Sequence, residues 1–181
     1  MKKILVIFLA IFAITLVSCN KEEVKNNTLP QNSINMINAE NFVGGFLEDT
    51  ILYSERGENA LDADYFEYYF GNAGLLEGIT DYFFYTSATT SVSEAGAFKV
   101  KNEETAKAML EAFDTRRNNL ISTYENYSPE DVAVAEKMEK GQNENLVWFV
   151  MTKDKDIVQT IIDLLTGKIH ADTFDNSSDE K

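Results

Sequence analysis

The sequence predicts an α+β domain: a small antiparallel sheet of about three strands, with helices packed mainly on one face. Three observations carry that expectation. Apolar residues recur at helical spacing along most of residues 38–165. Two strand-like segments, 82–86 and 95–100, lie close enough to pair as an antiparallel hairpin. A third run, 146–151, is apolar at every position, as a strand covered on both faces would be. The expected order is α-α-β-β-α-α-β-α. Helices laid against a small antiparallel sheet bury such a set of elements.

Each element has a local cause. Asn38 can cap the first helix, with Glu40 in its first turn. Phe42, Val43, Phe46, Leu47, Ile51 and Leu52 then share one face. Gly44 and Gly45 weaken that helix by about 1 kcal/mol each relative to alanine. Asp64 and Glu67 have the spacing of a capping box and start a short helix through Phe70. Gly71, Gly74 and Gly78 then interrupt the chain. After the hairpin, Asn102 caps the longest helix, with Glu103 and Glu104 behind it. Its apolar stripe is Ala106, Leu110, Phe113, Leu120, Ile121 and Tyr124. Ser128-Pro129-Glu130-Asp131 starts another helix, which Gly141 is expected to end. The run 146–151 is expected to be a central strand. Asp154 or Asp156 caps a last helix, with Ile157, Val158, Ile161, Ile162, Leu164 and Leu165 inside and Gly167 closing it.

Composition narrows the function classes. The 181 residues carry 16 Lys+Arg against 30 Asp+Glu, a formal charge of −14, with one Cys and one His. That balance is wrong for binding nucleic acid through phosphate neutralisation. One cysteine allows no intrachain disulfide and no Cys-rich metal centre, and one histidine allows no multi-His cluster. No metal site and no cofactor are expected. There is no repeat and no second composition regime, so a single domain is expected over 37–168, followed by an acidic tail at 169–181.

The first 18 residues differ from the rest. Lys2 and Lys3 precede 14 uncharged residues, 4–17, apolar apart from Thr15. That is short for a bilayer span and fits the apolar core of a secretory signal peptide. The segment ends in Leu16-Val17-Ser18-Cys19, which resembles the bacterial lipobox. The resemblance implies a signal peptide at 1–18, diacylglycerol on the Cys19 thiol, and Cys19 as the first mature residue. It also implies a location on the outer face of the cell membrane, anchored by acyl chains, which hold stably when two are present. Residues 19–36 are polar and Asn-rich and are expected to form a flexible tether.

From about residue 80 to 165 the pattern is familiar. Ala97-Phe98-Lys99-Val100-Lys101 leads into a long helix with Arg116-Arg117, then Tyr124-x-x-Tyr127-Ser128-Pro129, Gly141, the run 146–150, and Thr152-Lys153-Asp154. This resembles the DUF4358 family of small bacterial lipoproteins. The resemblance implies fold and location, and no activity.

No residue set announces a reaction. His170 lies just past the last helix and reads as a solvated histidine rather than as the held general base a reaction needs. No Gly-x-Ser-x-Gly turn and no phosphate-binding loop is present. Asp62, Asp64 and Glu67 lack the EF-hand spacing and read as helix caps. Tyr65, Phe66, Tyr68, Tyr69 and Phe70 crowd one short helix, and five neighbours cannot all face one core. Tyr65, Tyr68 and Tyr69 are therefore candidates for a ligand or partner surface, since an exposed phenol offers a flat face and a polar tip. Arg116 and Arg117 are two of three arginines. At least one lies near the apolar stripe, where it needs an internal carboxylate or a bound anion.

The function expected from these features is a non-catalytic binding module at the cell envelope. Its partner is expected to be a protein, a peptide or a wall component. Two alternatives stand beside it: a carboxylate-dependent hydrolase of envelope polymers, and an anionic surface protein whose charge is its function.

Overall fold

The computed structural model describes residues 30–170. The expected signal peptide, Cys19, the tether up to residue 29 and the tail from residue 171 lie outside the described residues. Five strands form one antiparallel sheet in the order β1-β2-β3-β5-β4. They are β1 (Thr50–Ser54), β2 (Ile79–Ser87), β3 (Glu94–Val100), β4 (Glu139–Asn143) and β5 (Leu146–Met151). The helices are α1 (Gln31–Phe46), α2 (Ala63–Phe70), α3 (Glu103–Tyr124), α4 (Pro129–Ala135) and α5 (Lys155–Leu165), with a 3₁₀ turn at Ala73–Gly78.

The helices cover both faces of the sheet, which corrects the expectation of helices packed mainly on one face. The cause lies in β3 and β5. All six side chains of β5 are buried, so neither face of that strand can meet water. Val147, Phe149 and Met151 point to one core with Phe84, Phe98 and Phe113, under α2, α3 and α4. Leu146, Trp148 and Val150 point to the other with Phe83, Tyr85 and Ile161, under α1 and α5. In the first core Phe70 meets Phe84 at 5.3 Å, Phe98 at 5.4 Å and Phe66 at 4.9 Å between ring centroids. Such pairs add about 0.5–1.5 kcal/mol each beyond their burial.

Five strands replace the expected three, and the two that were not foreseen are the edges. Ile51 and Leu52 continue the apolar spacing of the first helix, which places them on its face in the sequence. Instead α1 stops at Phe46, Asp49 adopts φ 53°, and Thr50 to Ser54 pair with β2. The start also moves. Residues 31–36, expected in the tether, form the first turns of α1, with Asn32, Ser33, Asn35 and Met36 buried. Gly141 does not end a helix: α4 stops at Ala135, and Gly141 lies in β4 opposite Trp148. A Cβ there would stand 2.4 Å from Trp148 Cζ2. The indole ring needs that space to lie across the edge strand. β5 is doubly covered but sits second from the edge, and β3 is the central strand.

The caps expected at Asn102 and Asp154 are present, whereas Asn38 lies inside α1 and Ser128 makes no side-chain cap. Asn102 Oδ1 accepts from the Thr105 amide at 2.9 Å, and Asp154 Oδ1 accepts from the amides of Asp156 and Ile157. Asp62, rather than Asp64, caps α2 by accepting from the Tyr65 amide at 2.8 Å. Glu67 accepts from the Ala73 amide at 2.6 Å, so these acids serve the backbone. Gly167 turns the chain after α5 at φ +71°, as the sequence suggests.

Two glycines should respond oppositely to alanine. Gly141→Ala should lower stability by about 1–3 kcal/mol, because the Trp148 ring must move off β4. Gly45, exposed in α1, has nothing within 4 Å of its Cβ position, so Gly45→Ala should raise stability by about 0.5–1 kcal/mol. Urea denaturation of both variants checks the pair.

Candidate functional site

The site grows from Glu94, the first residue of β3. Strand alternation points Glu94 to the same face as Gly96 and Phe98, so its carboxylate enters the core under α2 and α3. The Glu94 side chain is 2% exposed. A lone carboxylate there would be untenable. Arg116, one-third of the way from the end of α3, answers it. Its Nε donates to Glu94 Oε2 at 3.0 Å and an Nη to Oε1 at 2.5 Å, a bidentate pair. Thr86 Oγ1, on neighbouring β2, donates to Oε1 at 2.6 Å. Burial works against the charge on Arg116, but the hydrogen bonds and charge of Glu94 outweigh it and hold its pKa above the ordinary value. The internal salt bridge foreseen for the arginine pair is thus made by Arg116.

A shell of tyrosines closes over this pair. The Arg116 guanidinium lies 5.0 Å from the Tyr69 ring centroid, within cation–π range. Tyr69 also packs on Tyr53 at 5.9 Å and on Tyr68 at 5.0 Å, and Tyr53 packs on Tyr65 at 5.7 Å. Burial, followed by the hydrogen bond and charge of Tyr53, pushes the Tyr69 phenol well above its ordinary pKa. Burial likewise raises Tyr124, which also feels Tyr127, Arg116 and Glu94. Tyr124 stacks with Tyr127 at 5.2 Å. The inner rings are buried and the outer ones are not: Tyr65 is 49%, Tyr68 72% and Tyr127 63% exposed.

The five residues singled out from sequence therefore divide. Tyr65 and Tyr68 are the exposed members of α2. Tyr69 is buried, packing on Tyr68 and against Arg116. Arg117 is apart, paired with Asp114 of the previous turn at 3.3 Å. A groove of about 750 Å³ between α4 and α5 includes none of the five. Sequence reasoning did not single out Glu94 or Tyr127. Glu94 could have been found by extending the hairpin strand back one residue, where alternation aims it inward. Tyr127 could have been found from its spacing to the stripe residue Tyr124. Among the described residues, no group of three or more His, Cys, Asp or Glu is placed to hold a metal ion, and no helix is long and apolar enough to cross a membrane.

What the arrangement can do chemically is recognition. It presents exposed aromatic faces with polar tips, fixed from beneath by a rigid charged pair. A family model described as a domain of unknown function, DUF4358, matches residues 54–152. Neither a curated protein nor a solved structure matches the chain.

Breaking the pair from one side should be far costlier than removing it. Glu94→Leu should cost about 3–5 kcal/mol, because Arg116 is left charged and buried. Adding Arg116→Met should recover much of that loss. A double-mutant cycle by chemical denaturation reads the difference, and additive losses would show that the pair is not coupled.

Proposed function

The chain belongs to the DUF4358 family, and from that premise we propose that it is a lipid-anchored, non-catalytic binding module on the outer face of a bacterial cell membrane. The single observation that carries the binding reading is the tyrosine face. Tyr65, Tyr68 and Tyr127 each lie against a buried ring, Tyr53, Tyr69 and Tyr124 in turn, and Tyr69 lies against Arg116, so they are held rather than floating. Rigid tyrosines lose little conformational entropy on binding and offer both stacking and hydrogen bonding. A protein, peptide or wall component at the cell envelope fits that surface. The hydrolase and charge-function readings have no specific observation in their favour.

Anchoring rests on the sequence of the first 19 residues. Removal of 1–18 takes two lysines with it, so the formal charge becomes −16. A chain of that sign is repelled by anionic head groups, which leaves the acyl chains to hold it at the membrane.

Two experiments test the reading. Cys19→Ala should abolish labelling by radiolabelled fatty acid and release the protein from the membrane fraction; unchanged labelling would overturn the anchor. The Tyr65→Ser/Tyr68→Ser double variant should keep its stability within about 1 kcal/mol. It should bind isolated cell-envelope fractions at least tenfold more weakly, about 1.4 kcal/mol. Envelope binding equal to that of the parent would remove the tyrosine face as the ligand surface.

A further inference from the structure

β3 carries two charged residues, on opposite faces and near opposite ends. Glu94 is answered by Arg116. Lys99 is not answered in the same way: its Nζ donates to Ser33 Oγ at 2.9 Å and makes no ion pair among the described residues. Lys99 lines a cavity of about 580 Å³ at the start of α1, where Pro30 and the loop after α5 meet the β4–β5 turn.

The polar side chains around this cavity bond partly to one another and leave several donors over. α1 is the one α-helix among the described residues with no acid in its first turn, and Pro30 gives it no side-chain cap. The amides of Gln31 and Asn32 accordingly have no acceptor among the described residues. Such amides, at the positive end of the helix dipole, favour an anionic group. Asn35 is 2% exposed. Its Oδ1 accepts from Gln31 Nε2 at 2.8 Å, while its Nδ2 donates to nothing among the described residues. That Nδ2 faces Gly167, where a Cβ would come within 2.9 Å of it. The left-handed glycine thus leaves the amide its room.

A bare anion would not be at ease here. Glu144 also lines the cavity, and its Oε2 accepts from Asn32 Nδ2 at 3.0 Å. An anion at the start of α1 would face that carboxylate. Glu144 is exposed and holds φ 53° in the two-residue turn between β4 and β5, a conformation that favours glycine. A ligand with both signs would meet the free amides and Lys99 with its anionic end and Glu144 with its cationic end. His170 sits at the rim.

We propose that this cavity binds a small zwitterion of the α-amino-acid class. Its carboxylate lies against the first turn of α1 and Lys99, its ammonium against Glu144, and its remaining polar atoms against the Asn side chains. The site is separate from the tyrosine face and stands or falls without it.

The test uses the purified full-length chain, with the common L-amino acids and D-alanine as probes, and acetate and methylammonium as single-charge controls. Calorimetry should show saturable binding of at least one amino acid, with a raised melting temperature. Neither control should bind at the same concentration. Lys99→Gln and Glu144→Gln should each weaken that binding about tenfold or more. Glu144→Gly should lose binding as well, while its melting temperature without ligand holds or rises, because the strained φ is relieved. A purely structural role for Glu144 predicts the opposite. Failure of every amino acid to bind overturns the proposal. So does acetate binding as tightly as the best amino acid, or variants that bind like the parent.

Discussion

β3 lies at the middle of the sheet with helices on both faces, so a charge it carries must find a partner inside the protein or reach a polar opening. That constraint organises much of the structure. At one end Glu94 enters the aromatic core. Satisfying it fixes the position of Arg116 on α3, draws in Thr86 from β2, and gives Tyr69 a cation to lie against. At the other end, on the opposite face, Lys99 reaches the first turn of α1 and a polar cavity. One buried charge is closed by an internal partner and becomes a support. The other borders open space.

The strand itself allows this because its middle is small. Ala95, Gly96 and Ala97 leave room for rings from both sides. A Cβ on Gly96 would stand 3.0 Å from Phe149 and 3.1 Å from Phe98. The two cores are therefore separate clusters that share a thin wall of backbone. The difference in their contents follows. The face under α2 and α3 is dense in Phe and Tyr, and its surplus aromatics emerge as the exposed tyrosines. The face under α1 and α5 has fewer rings, Phe83, Tyr85 and Trp148 among aliphatic side chains, and ends in carboxamides.

How much of this was legible depended on how locally each element is determined. The long helix, its Asn102 cap, the hairpin and the buried run 146–151 are written in neighbouring residues, and the structure has them. The edge strands are not. Glu139-Lys140-Gly141-Gln142-Asn143 has no strand signal, and it is a strand because β5 offers a partner and Lys140 can reach Asp114 on α3. Ile51 and Leu52 fit the helical spacing of the residues before them, and only the turn at Asp49 breaks the period. At the site, crowding on α2 correctly implied that some tyrosines must be exposed, because that is a counting argument. Which ones, and what stands beneath them, depends on pairing across β2, β3 and α3. The Asn-rich segment around residue 32 has the composition of a linker, and its burial becomes visible only when the β4–β5 turn is brought beside it.

Pro30 and His170 both line the cavity at the Lys99 end of β3. The tyrosine face gathers toward the Glu94 end, about 20 Å away along the strand. A tether pulling at Pro30 and a partner gripping the tyrosines would therefore stretch the domain lengthwise along its strands. Force in that direction shears the ladders between neighbouring strands, so many backbone hydrogen bonds resist together, instead of peeling apart one at a time. The same topology that sets two opposite charges on one strand also gives the domain a direction of high mechanical resistance, along its strands.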